Sequence, residues 1–74
     1  MPTVLVLLAD DFEEIEAFAP VNLLRRSGVE VTVASLNDNC HATGRSGITA
    51  HADVALTAVA TQIFDLVFLP GGAG

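Results

Sequence analysis

The chain has 74 residues, of which 51% are apolar, and it contains no Trp, Tyr or Lys. A mean hydropathy of +0.56 excludes a disordered chain, and the length limits it to one small domain. Nine acids stand against Arg25, Arg26 and Arg45, giving a net charge of −6 that argues against nucleic acid or an anionic membrane as partner. So small a domain leaves much of its surface in water. This apolar content therefore points to a piece of something larger.

Thr3–Ala9 (TVLVLLA) is a continuous Val/Leu run, the pattern of a parallel strand covered on both faces. No basic residue precedes it and Asp10–Asp11 follow at once, so it fits neither a signal peptide nor a membrane span, and a cytoplasmic location is expected. A helix is predicted from about Glu13 to Ser27, ended by Gly28, with Arg25 and Arg26 on the negative end of its dipole. Phe12, Glu16, Pro20, Leu23 and Leu24 are spaced by three or four residues along it. Glu16 is the one carboxylate in that strip. Burying it is costly without a partner or a task, so it is the candidate catalytic residue. Glu13 and Glu14 are expected only to complement the helix dipole, the role Glu16 would have if it were ordinary. Pro20 removes the amide that would bond the Glu16 carbonyl, so a kink is expected there.

Glu30–Ser35 (EVTVAS) is the second strand and completes a right-handed βαβ unit. Leu36–Gly47 reads as a loop or hairpin excursion, Ile48–His51 as a short strand and Leu56–Gln62 as a short helix weakened by Thr57 and Thr61. Leu66–Leu69 is a further buried parallel strand, followed by the turn Pro70-Gly71-Gly72. Three central strands with one substantial helix cannot cover both faces of a sheet. The expected partner is therefore more polypeptide, either the remainder of the same domain or a second chain made by cleavage.

Sites in open α/β sheets form beyond the carboxyl ends of the strands. With the first and last strands as neighbours, Asp10, Asp11 and Glu16 approach the amides of Gly71 and Gly72. Successive glycine amides there can form an anion nest or half of an oxyanion hole, although the same turn can be purely structural. Asp10 and Asp11 form the rim of this pocket. The single Cys40 makes no internal disulfide and no metal pattern, and no metal or cofactor is expected. His41 and His51, ten residues apart in unlike contexts, read as surface or structural residues. A phospho-receiver domain is the competing class: Asp10–Asp11 would hold Mg²⁺, but Pro70 follows the strand that should deliver the phosphoacceptor.

ADDFEEIEAFAPVNLLRRSGVEVTVAS, followed later by LPGGAG, resembles the N-terminal part of the ThiJ/PfpI superfamily. The likeness is closest to the branch of the parkinsonism-associated deglycase and the bacterial ThiJ and YajL proteins. It implies a flavodoxin-like α/β fold, a parallel sheet sandwiched by helices, and a homodimer. It also implies a reactive cysteine on a strand-to-helix elbow, hydrogen-bonded by the acid at the position of Glu16, with the amides of Gly71 and Gly72 close by. Residues 1–74 would be the N-terminal portion of one such domain, and the elbow cysteine lies in the segment this sequence lacks. Cys40 is no substitute. The resemblance implies chemistry on small reactive aldehydes, glutathione-independent glyoxalase or deglycase, with a redox-sensing or chaperone-like protein as the alternative. Asp11 stands where relatives often have Gly, and Asn22 where they often have Asp.

Overall fold

The computed structural model describes residues 2–71. In chain order these form β1 (Thr3–Leu8), α1 (Glu14–Arg26), β2 (Glu30–Ser35), β3 (His41–Thr43), β4 (Thr49–His51), β5 (Val54–Ala55), α2 (Leu56–Val59) and β6 (Leu66–Phe68). Strands β5, β2, β1 and β6 lie side by side in that order, all parallel, and β3 pairs antiparallel with β4 as a separate hairpin.

β1 is central because both of its faces are apolar. Val4, Val6 and Leu8 pack on one side with Phe12, Ala17, Val21, Val31 and Val33, while Leu5 packs on the other with Ala34 and Val59. Its register runs from Thr3 opposite Glu30 to Leu8 opposite Ser35, and Val4–Val6 pair with Leu66–Phe68 of β6. Asp65 fixes the start of β6: its carboxylate accepts the Thr3 amide at 2.8 Å and its own amide donates to the Thr3 carbonyl at 3.0 Å.

The helix begins one residue later than its charge pattern suggests. Glu13 is the N-cap, and its carboxylate accepts the Ile15 amide at 3.0 Å. At the other end, the Gly28 amide donates to the Arg25 carbonyl and the Val29 amide to the Leu24 carbonyl, a Schellman closure. α1 runs without interruption through Pro20. Its buried strip is Glu14, Ala17 and Val21, not the strip containing Glu16; both Glu16 and Leu23 are exposed. Phe12 is buried but lies ahead of the N-cap, outside the helical phase, so counting from it assigned the wrong face. Arg25 makes an ion pair with Asp53 at 2.7 Å and also donates to the Val31 carbonyl.

β5 has no counterpart among the predicted elements. Two residues carry no readable period; Asp53 places them, its amide donating to the Val33 carbonyl and its carboxylate accepting the Val33 amide. The excursion after β2 is a hairpin, and α2 is a single short turn of helix. Among the described residues, the flank formed by Ile63, Leu66, Val67 and Leu69 is left open to solvent. No helix among them is long and apolar enough to cross a membrane.

Candidate functional site at the strand ends

The carboxyl ends of β1 and β6 are neighbours, as a shared crevice requires, and a cavity of about 200 Å³ opens there. Asp10, Asp11, Phe12, Leu36, Pro70 and Gly71 are among its walls. The Glu13 amide donates to the Gly71 carbonyl at 2.6 Å, so the first turn of α1 is tied directly to the segment leaving β6. Glu16, one helical turn further on, aims its carboxylate at the same glycine. A Cβ at Gly71 would stand 2.6 Å from Glu16 Oε1, so only a residue without a side chain fits there unless the carboxylate moves. Glu16 thus lies beside Gly71, a wall of the cavity, without lining the cavity itself, and it is exposed rather than sunk in an apolar strip. Gly72 lies outside the described residues.

The two aspartates have different parts. Asp10 Oδ1 accepts the Thr43 amide at 3.0 Å and Asn37 Nδ2 at 3.1 Å, binding the end of β1 to the hairpin and to the loop after β2. Asp11 adopts φ +70°, the left-handed region. Glycine would enter that region without strain, and Asp is among the residues that tolerate it best. The Asp11 amide donates to the Thr43 carbonyl at 2.7 Å.

The buried acid is Glu14, only 8% exposed. Its carboxylate accepts the Ser46 amide at 3.0 Å and the Ile48 amide at 3.4 Å, gathering the β3–β4 turn onto the start of α1. Burial pushes this carboxyl up. The hydrogen bonds from its own amide, the Ser46 and Ile48 amides and the Ser46 side chain outweigh it, so the group is held below its ordinary range. Glu14 therefore does not act as a simple surface complement to the helix dipole. The spacing Glu14–Ala17–Val21–Leu24 was the available signal for its inward face. Cys40 is a half-buried free thiol in the left-handed conformation, with its amide bonded to the Asn37 carbonyl.

The family model described as DJ-1/PfpI matches residues 2–74. Among curated relatives, Arabidopsis thaliana DJ-1 homolog A is 41% identical over 96% of this chain, and a Pyrococcus abyssi deglycase is 42% identical over 93% of it. The chain spans 18% and 41% of those two proteins, respectively. Among solved structures, the oxidized DJ-1 of Toxoplasma gondii superposes with a TM-score of 0.94 at 40% identity, covering 97% of this chain and 39% of that one. With its parallel flavodoxin-like sheet and a match along nearly its whole length, the chain belongs to the DJ-1/PfpI family.

Proposed function

We propose that this chain is the N-terminal portion of a cysteine-dependent enzyme acting on small reactive aldehydes, completed by further polypeptide that brings the nucleophile. The observation that carries this reading is the carboxylate of Glu16 set against Gly71, which is one wall of the β1/β6 crevice. Deglycases among the relatives, from Pyrococcus abyssi and Thermococcus kodakarensis, support the substrate class. The relatives are longer, and the uncovered flank at Ile63, Leu66, Val67 and Leu69 is apolar, which supports completion by the remainder of the same domain.

In this mechanism a thiolate adds to the aldehyde carbon of methylglyoxal or glyoxal. The carbon–sulfur bond forms as the carbonyl π bond breaks, and charge collects on oxygen. The Gly71 and Gly72 amides stabilise that oxyanion, and the Glu16 carboxyl supplies its proton as general acid, later working as base. Asp10 and Asp11 shape the rim. The chain alone lacks the nucleophile and is inactive. A homodimer belongs to this reading, supported by a groove of about 560 Å³ on the outer face of α1 beside the exposed Ile15 and Leu23.

A redox-sensing protein is the second reading, favoured by one observation: a relative of TM-score 0.94 has been solved in an oxidized form. There the same acid would hold an oxidised cysteine instead of turning over substrate. Glutathione-free methylglyoxal consumption by the complete protein tests the first reading. Absence of consumption, together with a gain of two oxygens on peroxide titration by intact mass, would favour the second.

A further inference from the structure

The chain contains two histidines, and the fold places them directly opposite each other. His41 of β3 pairs with His51 of β4, both exposed, and their rings stack with centroids 4.8 Å apart and planes 26° apart. The Ala52 amide donates to the Cys40 carbonyl just outside this pair, which makes it a non-hydrogen-bonded position of the ladder. At such positions the facing Cα atoms are about 4.5 Å apart and the side chains are closest.

The hairpin holds this geometry firmly. The His41 amide donates to Asn39 Oδ1 at 3.0 Å, and the His41 carbonyl accepts from Asn37 Nδ2 and Ser35 Oγ. On the same face Thr43 Oγ1 and Thr49 Oγ1 lie 2.9 Å apart. The backbone beneath both rings is thus fixed before any ligand arrives. Stacking of two partly hydrated imidazoles on a surface is a weak reason for them to meet. Two nitrogen donors on adjacent rigid strands are well suited to a chelate.

We propose that His41 and His51 form a two-imidazole surface site for a late first-row divalent metal ion of the Ni²⁺, Cu²⁺ and Zn²⁺ class. Imidazole nitrogen suits these borderline ions, whereas Mg²⁺ and Ca²⁺ require oxygen donors. Metal–nitrogen bonds of about 2.0–2.1 Å bring two cis donors to about 3 Å of one another. Turning the exposed rings about their Cβ–Cγ bonds lets one nitrogen of each converge from the stacked arrangement. Water completes the coordination. The net charge of −6 raises the local concentration of cations. The site uses none of the carboxylates at the strand ends and does not depend on the proposed aldehyde chemistry.

The test is titration of the complete protein with Ni²⁺, followed by calorimetry and by NMR of the histidine ring protons. The first equivalent is expected to perturb the His41 and His51 rings together. His41→Ala and His51→Ala should each weaken Ni²⁺ binding at least about tenfold, because the second imidazole binds intramolecularly, and the double variant should bind more weakly than either single one. Cys40→Ser should leave the affinity unchanged. Full affinity in either alanine variant, a first equivalent that leaves one ring unperturbed, or loss of binding in Cys40→Ser would overturn the proposal. Both rings are exposed, and unchanged melting temperatures of the metal-free variants keep any loss attributable to ligation.

Discussion

The carboxyl of Glu14 occupies the space over Gly44 that a side chain would otherwise fill. From there it collects the Ser46 and Ile48 amides of the turn, so one contact fastens the hairpin to the first turn of the helix. Gly44→Ala would place a methyl group onto that carboxyl and expel it, leaving the turn amides without their acceptor. The melting temperature of the complete protein should fall by several degrees. An unchanged value would mean that the turn does not need Glu14.

The same carboxylate makes stability depend on acid. Its folded-state pKa lies below the unfolded value, so its contribution is present above the ordinary glutamate range and is lost as pH falls through the folded value. Glu14→Gln removes that dependence while keeping the shape. Urea midpoints measured from neutral pH down to about pH 3 should fall less steeply for Glu14→Gln than for the parent. Parallel curves would assign the acid loss to other carboxylates.

Arg25 and Asp53 join α1 to β2 and β5, but both side chains are nearly half exposed. Solvent screening limits the pair to about 1 kcal/mol or less. Asp53→Ala should cost more than Arg25→Ala, because a backbone amide left without its acceptor, that of Val33, costs more than a carbonyl that loses one donor, that of Val31. A double-mutant cycle on urea unfolding would measure the coupling. Equal losses from the two single changes would show that the Val33 bond is worth no more than the bond from Arg25 to the Val31 carbonyl.

What could be read in the sequence followed strong local signals. The apolar run of β1, the Gly28 helix stop, β2 and the β1/β6 crevice all came from patterns several residues long. Where a single residue set the phase, inference failed. Phe12 is buried, yet the chain turns through Asp11 and the Glu13 cap before the helix starts, so spacing counted from Phe12 put Glu16 inside and Glu14 outside. The β5 strand and the His41–His51 pairing are long-range results of hydrogen bonding by Asp53 and of hairpin register. Neither has a local period to read. Glu16 still meets Gly71, because the tie between Glu13 and Gly71 brings the start of α1 beside the segment leaving β6 whichever face is buried.

The central claim is that Glu16, not its buried neighbour, acts on the substrate. Methylglyoxal consumption by the complete protein, measured for Glu16→Gln and Glu14→Gln side by side, tests it most directly. Glu16→Gln should lower kcat by about 10²-fold or more, the usual scale of general acid–base catalysis, while Glu14→Gln keeps most of the activity per folded molecule. Near-parental turnover in Glu16→Gln would contradict the account.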